Sequence, residues 1–178
     1  PRSTLFPYTT LFRSEDGFFN RFAAMARMLP ALPHVGGGRT KFQPVFVGDL
    51  ASAITTAVEG GARPGTVYEI GGPEVATFRQ LLDRTQAWAG RDRRYLRLPF
   101  WLAKLQAMAT APLPIALRPL TVDQVRNLEA DNVVSTAAQT EGRTIAALGV
   151  PHPHAIGAIV PAYLERFRPR GQFSHYRG

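Results

Sequence analysis

Cysteine is absent from the 178 residues. That excludes a disulfide framework, a thiolate nucleophile and a cysteine metal site, and it favours a reducing compartment. Lysine is almost missing too, since Lys41 and Lys104 are the only two, so a net charge of +8 rests on arginine. No apolar run reaches the roughly eighteen residues that a membrane-spanning helix needs. There is no internal repeat and no low-complexity tract. The histidines supply no metal site, because His152 and His154 flank Pro153 without a carboxylate close by in sequence.

What is present is an ordinary globular composition, 45% apolar over a length that can bury one substantial core. The arginines are scattered rather than striped, and no basic helix or aromatic nucleic-acid signature accompanies them, so nucleic acid is not an expected partner. Two local clusters stand out, Arg91, Arg93, Arg94 and Arg97, then Arg166, Arg168 and Arg170. Either would attract an acidic subunit or an anionic membrane surface, where each basic residue contributes about 1 kcal/mol.

The segment Phe42 to Val58, FQPVFVGDLASAITTAV, predicts a strand flowing into a helix. Val45, Phe46 and Val47 suit a covered strand, while Leu50, Ala51, Ile54, Ala57 and Val58 recur at helical spacing. Asp49 is the expected N-cap, accepting from the N–H of Ala51 or Ser52. Upstream, Phe18, Phe19, Phe22, Ala26 and Leu29 mark one face of a helix that Pro30 ends, followed by a loop from Pro33 to Gly38. Gly36-Gly37-Gly38 is either an anion cradle or a turn, and with no helix directly after it the turn is preferred.

Further on, Thr66 to Ile70 predicts a short strand, and Thr77-Phe78-Arg79-Gln80 a capping box opening a helix lined by Phe78, Leu81, Leu82 and Thr85. A second capping box is expected at Thr121 to Gln124. Leu96 to Leu98 reads as a strand before a helix that Pro99 begins. That helix is apolar over more than half its circumference, so Trp101 either packs internally or meets a partner. Gly149 is the expected C′ glycine of a short turn. Ile156, Ile159, Val160, Tyr163, Leu164 and Phe167 trace a terminal amphipathic helix with a kink expected at Pro161.

Val45-Phe46-Val47-Gly48-Asp49-Leu50-Ala51 and the strand, Gly71-Gly72-Pro73 and capped-helix order that follows resemble the C-terminal half of extended short-chain dehydrogenase/reductase proteins. Glu15 to Phe22, Phe42 to Val45, Leu98 to Ala103, Asp131 to Val134 and Phe167 to Pro169 together narrow the resemblance to the accessory NAD(P)-binding subunit of respiratory complex I and its bacterial relatives. The resemblance implies an α/β fold, the C-terminal half of an extended Rossmann-type architecture. Residues 15–70 would be the remnant of the Rossmann-like domain, 71–173 a substrate-side or partner-binding domain that is mostly helical, and 174–178 a tail. Residues 1–14, PRSTLFPYTTLFRS, fit neither a signal peptide nor the family. They resemble translated adapter sequence, and are expected to be a non-native leader outside the fold.

The family's Gly-x-Gly-x-x-Gly and Tyr-x-x-x-Lys patterns do not occur here, which implies a C-terminal fragment without catalytic residues, whose parent holds NAD(P)H in its other half. No cofactor is expected on the fragment itself. Within the cleft of such a parent, Asn20, Arg39 and Gln43 are the candidate ligand contacts. Asn20 and Gln43 are alternatively satisfied structural amides, and Arg39 a surface residue. Arg91, Arg93, Arg94, Arg97 and Trp101 would face complex I subunits or the membrane. The expected location is cytoplasmic or peripheral on the inner membrane, on the matrix side in a mitochondrion. Two other readings remain, an active epimerase/dehydratase or hydroxysteroid-dehydrogenase-like oxidoreductase and a cofactor-free membrane- or protein-binding module. Phe42-Gln43 stands where sugar-nucleotide enzymes carry Arg-Asp, leaving Lys41 as the one cation there for a diphosphate.

Overall fold

A computed structural model of the chain describes residues 11–12, 17–109, 125 and 128–169. Helices and short strands alternate through it, an α/β arrangement as the sequence implies. The first helix, α1 (Phe19–Met28), buries Phe19, Phe22, Ala23, Met25 and Ala26. It stops because Leu29 precedes Pro30, a position that sterics drive out of the helical region, and Leu29 is extended at φ −103° and ψ 145°. Leu29 therefore leaves the predicted helical face and is partly exposed.

Three two-stranded sheets are formed among the described residues. In the longest, β2 (Ala31–Val35) lies parallel to β6 (Arg94–Leu98), pairing Ala31 with Arg94 through Val35 with Leu98. The loop expected from Pro33 onward thus begins only after Val35. Pro33 lacks a donor, yet a strand with a single neighbour has an open edge that tolerates it. A turn over Gly36–Gly38 follows, all three glycines having positive φ, as only glycine does readily.

Next come β3 (Lys41–Phe42), antiparallel to β5 (Ala76–Thr77), and β4 (Val45–Phe46), parallel to β1 (Leu11–Phe12). Phe12 is fully buried and packs on Phe19 and Phe46, with ring centroids 6.4 and 5.7 Å apart. Exclusion of residues 1–14 from the fold therefore fails for Leu11 and Phe12. Helix α2 (Val47–Thr56) runs on into a π turn over Ala57–Gly61.

The strand expected over Thr66 to Ile70 reduces to one bridge, Glu69 to Thr144. Glu69 ties this segment to distant chain: its N–H donates to the Arg143 carbonyl, and its carboxylate accepts from the N–H and hydroxyl of Ser135 at 2.7 and 2.8 Å. The capping box forms as the sequence predicts, with Thr77 and Gln80 exchanging side-chain and backbone hydrogen bonds at the start of α3 (Phe78–Trp88). Helix α4 (Phe100–Ala109) follows β6, then come α5 (Thr136–Thr140) and α6 (Ile156–Leu164). The capping box expected at Thr121 lies outside the described residues.

The main core joins α1, α3 and α6 through Phe19, Phe22, Phe78, Leu81, Ile156, Val160 and Leu164. Each such side chain contributes roughly 1.5–3 kcal/mol on burial. A smaller cluster of Val45, Ala53, Ile70, Ile145 and Leu148 sits under α2. Helix α6 continues through Pro161 and tightens into a 3-10 turn over Glu165–Phe167. Among the described residues no helix is long and apolar enough to cross a membrane.

Candidate functional site

Gln43 follows β3 and braces three segments. Its amide nitrogen donates to the Gly72 carbonyl at 2.8 Å and its amide oxygen accepts from the Val134 N–H at 2.9 Å. Its own backbone N–H reaches Asn132 at 3.0 Å and its carbonyl accepts from Gly72 at 3.3 Å. Gly71 and Gly72 must lack side chains for this packing, because a Cβ on Gly72 would stand 1.9 Å from the Pro44 carbonyl oxygen. Asn20, on α1, accepts from Arg166 at 2.7 Å. Arg39 is exposed beyond the glycine turn.

The glycine turn does not fit a dinucleotide's pyrophosphate. It leads into β3 rather than directly into a helix. The space in front of Gly36 is filled by the Phe100 ring, 2.1 Å from where a Cβ would sit, and that before Gly38 by His34 at the same distance. His34 is buried and its Nε2 finds no hydrogen-bond partner. Burial, reinforced by Arg79 and Arg97, holds its pKa below the usual histidine value.

The arginines after α3 separate into two kinds. Arg93 turns inward, its Nε donating to the Ala26 carbonyl at 2.8 Å and its N–H to Gln86 Oε1 at 2.5 Å. Arg91 is half-buried with an unpartnered Nε. Arg94 and Arg97 are exposed on β6. Between α3 and this segment lies a cavity of about 430 Å³ lined by Arg79, Asp83, Gln86, Arg91, Asp92, Arg93, Arg94 and Tyr95. Tyr95 donates to Asp83 at 2.5 Å and lies under the Arg79 guanidinium, 4.1 Å from the ring centre. Burial and then the Asp83 hydrogen bond push its pKa up to about 12, so it stays a neutral donor. Sequence reasoning found the arginines but missed Arg79, Asp83 and Tyr95, which only the packing of β6 against α3 assembles.

Trp101 is 67% exposed and shares its side of α4 with exposed Leu105 and Met108, at i, i+4 and i+7. Ala103 and Ala107 supply the buried side instead, so Trp101, Leu105 and Met108 are not the residues packed inward. From the second cluster, Arg168 donates to the Trp88 carbonyl at 2.9 Å. Arg170 lies outside the described residues.

Asp49 is not the N-cap. The helix starts two residues earlier at Val47, with Phe46 at the cap, and Asp49 is buried in the first turn. It accepts from the backbone N–H of His154 at 2.6 Å and meets the Nδ1 of the same residue at 2.7 Å. Thus His154 does have a carboxylate partner, far away in sequence. Among the described residues no group of three or more metal-ligating side chains assembles.

These polar groups are mostly committed to holding segments of an α/β domain together. No protein-family model matches the chain. It is 34% identical, over 78% of its length, to the NADH dehydrogenase [ubiquinone] 1 alpha subcomplex subunit 9, mitochondrial, of Arabidopsis thaliana. It is also 34% identical, over 47% of its length, to the protein of that name in Dictyostelium discoideum. The chain spans 36% and 23% of these relatives. Among solved structures, a UDP-glucuronic acid 4-epimerase from Bacillus cereus, in complex with UDP-glucuronic acid and NAD, covers 83% of this chain at a TM-score of 0.45 and 16% identity, with 45% of that structure matched. Over the part of them that it spans, the chain is similar to the complex I alpha subcomplex subunit 9 proteins.

Proposed function

We propose that this chain is part of an accessory subunit of NADH:ubiquinone oxidoreductase and serves there in structure or assembly rather than in catalysis. The observation that carries this is the 34% identity to a named complex I subunit across 78% of the chain. The structure accords with a non-catalytic role: Gln43 and Asn20 are engaged by backbone or arginine partners, and the buried acid Asp49 is held by His154. In this reading NAD(P)H belongs to the stretch of the relatives that these residues do not span, since the glycine turn is blocked by Phe100 and His34. Arg39, exposed at the end of that turn, is the one candidate left to reach toward such a nucleotide from this side.

Docking onto neighbouring subunits at the membrane falls to Arg94, Arg97 and Trp101, exposed side chains that offer positive charge and apolar surface. The location proposed is peripheral, on the side of the inner membrane where complex I exposes its hydrophilic arm. To test the cofactor assignment, the longer protein and the 178-residue chain are each purified, denatured and their released nucleotide quantified. The longer protein is expected to release NAD(P)H near one per chain and the short chain none; nucleotide retained by the short chain would overturn the division.

A further inference from the structure

We infer that the cavity between α3 and β6 is a binding site for a phosphate-bearing anion, gripped by Arg91 and Arg94. Its lining carries four guanidinium groups against two carboxylates, leaving an excess of two positive charges. Asp83 is already engaged, accepting from Tyr95 and pairing with Arg79 at 3.3 Å. Asp92 is exposed. Arg93 is committed to Ala26 and Gln86.

That leaves Arg91 and Arg94, whose guanidinium groups no acceptor among the described residues engages. A guanidinium fork matches phosphate oxygens well. The segment is held rigidly enough to present it: Gln86 bonds Arg93 and Tyr95 at once, and the Arg91 N–H is fixed to the Gln86 carbonyl at 2.9 Å. At about 430 Å³ the cavity exceeds a bare phosphate and falls in the range of small-molecule sites. The ligand class is therefore a phosphate ester, free in solution or forming the headgroup of an anionic lipid. The inference goes beyond complex I membership and does not depend on it.

The test uses the 178-residue chain in low-chloride buffer with two probes. Calorimetry with glycerol 3-phosphate reads the soluble source, and flotation with phosphatidylglycerol or phosphatidylcholine vesicles reads the lipid source. Saturable binding of glycerol 3-phosphate that Arg91→Met weakens at least tenfold supports a soluble ligand. Flotation with phosphatidylglycerol alone, lost in Arg91→Met, supports a headgroup. Asp92→Asn removes an opposing charge without touching the fold and is expected to tighten either interaction two- to fivefold, which decides the matter should Arg91→Met misfold. Binding of neither probe, or binding indifferent to both substitutions, would overturn the inference.

Discussion

Replacing Gln43 by leucine should destabilise the fold by about 2–4 kcal/mol. The side chain makes two hydrogen bonds, to the Gly72 carbonyl at 2.8 Å and from the Val134 N–H at 2.9 Å. Each is worth about 1 kcal/mol net, and the buried backbone groups left behind add a desolvation penalty of roughly 1 kcal/mol or more apiece. Gly72 and Val134 are both buried, so water cannot readily take the place of the amide. Leucine is close in size, which confines the change mainly to polarity. With a urea m-value near 2 kcal/mol/M, the unfolding midpoint should fall by about 1–2 M with the slope unchanged. A shift worth less than about 0.5 kcal/mol would refute the bracing role and return Gln43 to the ligand-contact reading.

Thr77→Ala should cost about 1 kcal/mol through loss of the capping box at α3, measurable in the same denaturation experiment. Asp49→Ala should cost about 1–2 kcal/mol and loosen the loop before α6, which amide exchange at His154 would report as faster. His34 has a folded pKa below its unfolded value, so the unfolded chain takes up the proton first. Stability is then full above about pH 6.5 and declines as pH falls below it, by at most about 1.4 kcal/mol per unit. His34→Leu should flatten that acid limb between pH 6.5 and 5, and an unchanged pH profile would contradict the burial.

Features governed by near neighbours were legible in the sequence. The Thr77 and Gln80 box spans three residues, the α1 face is a single helical repeat, and Gly149 caps its turn in the left-handed conformation as expected. Readings failed where distant residues decide. Asp49 is a favourable cap by composition, yet its partner His154 lies 105 positions on, and Asp49 sits buried in the first turn of a helix that already starts at Val47. Pro33 to Val35 looks like the start of a loop until β6 arrives beside it and makes it the end of a strand. Phe12 shows the same thing, since its place in the core depends on Phe19 and Phe46 and not on the character of the residues around it. Gln43 was legible as unusual, a polar group among apolar ones, whereas its purpose required Gly72 and Val134, 29 and 91 residues away.

Membership of complex I is tested most directly by expressing the longer protein with an affinity tag in its own cells and resolving mild-detergent membrane extracts on a native gel. The account predicts that the tag migrates with NADH dehydrogenase activity in the complex I band and shifts when that complex is absent. A tag found wholly apart from that activity, with complex I intact in the same lane, would contradict it.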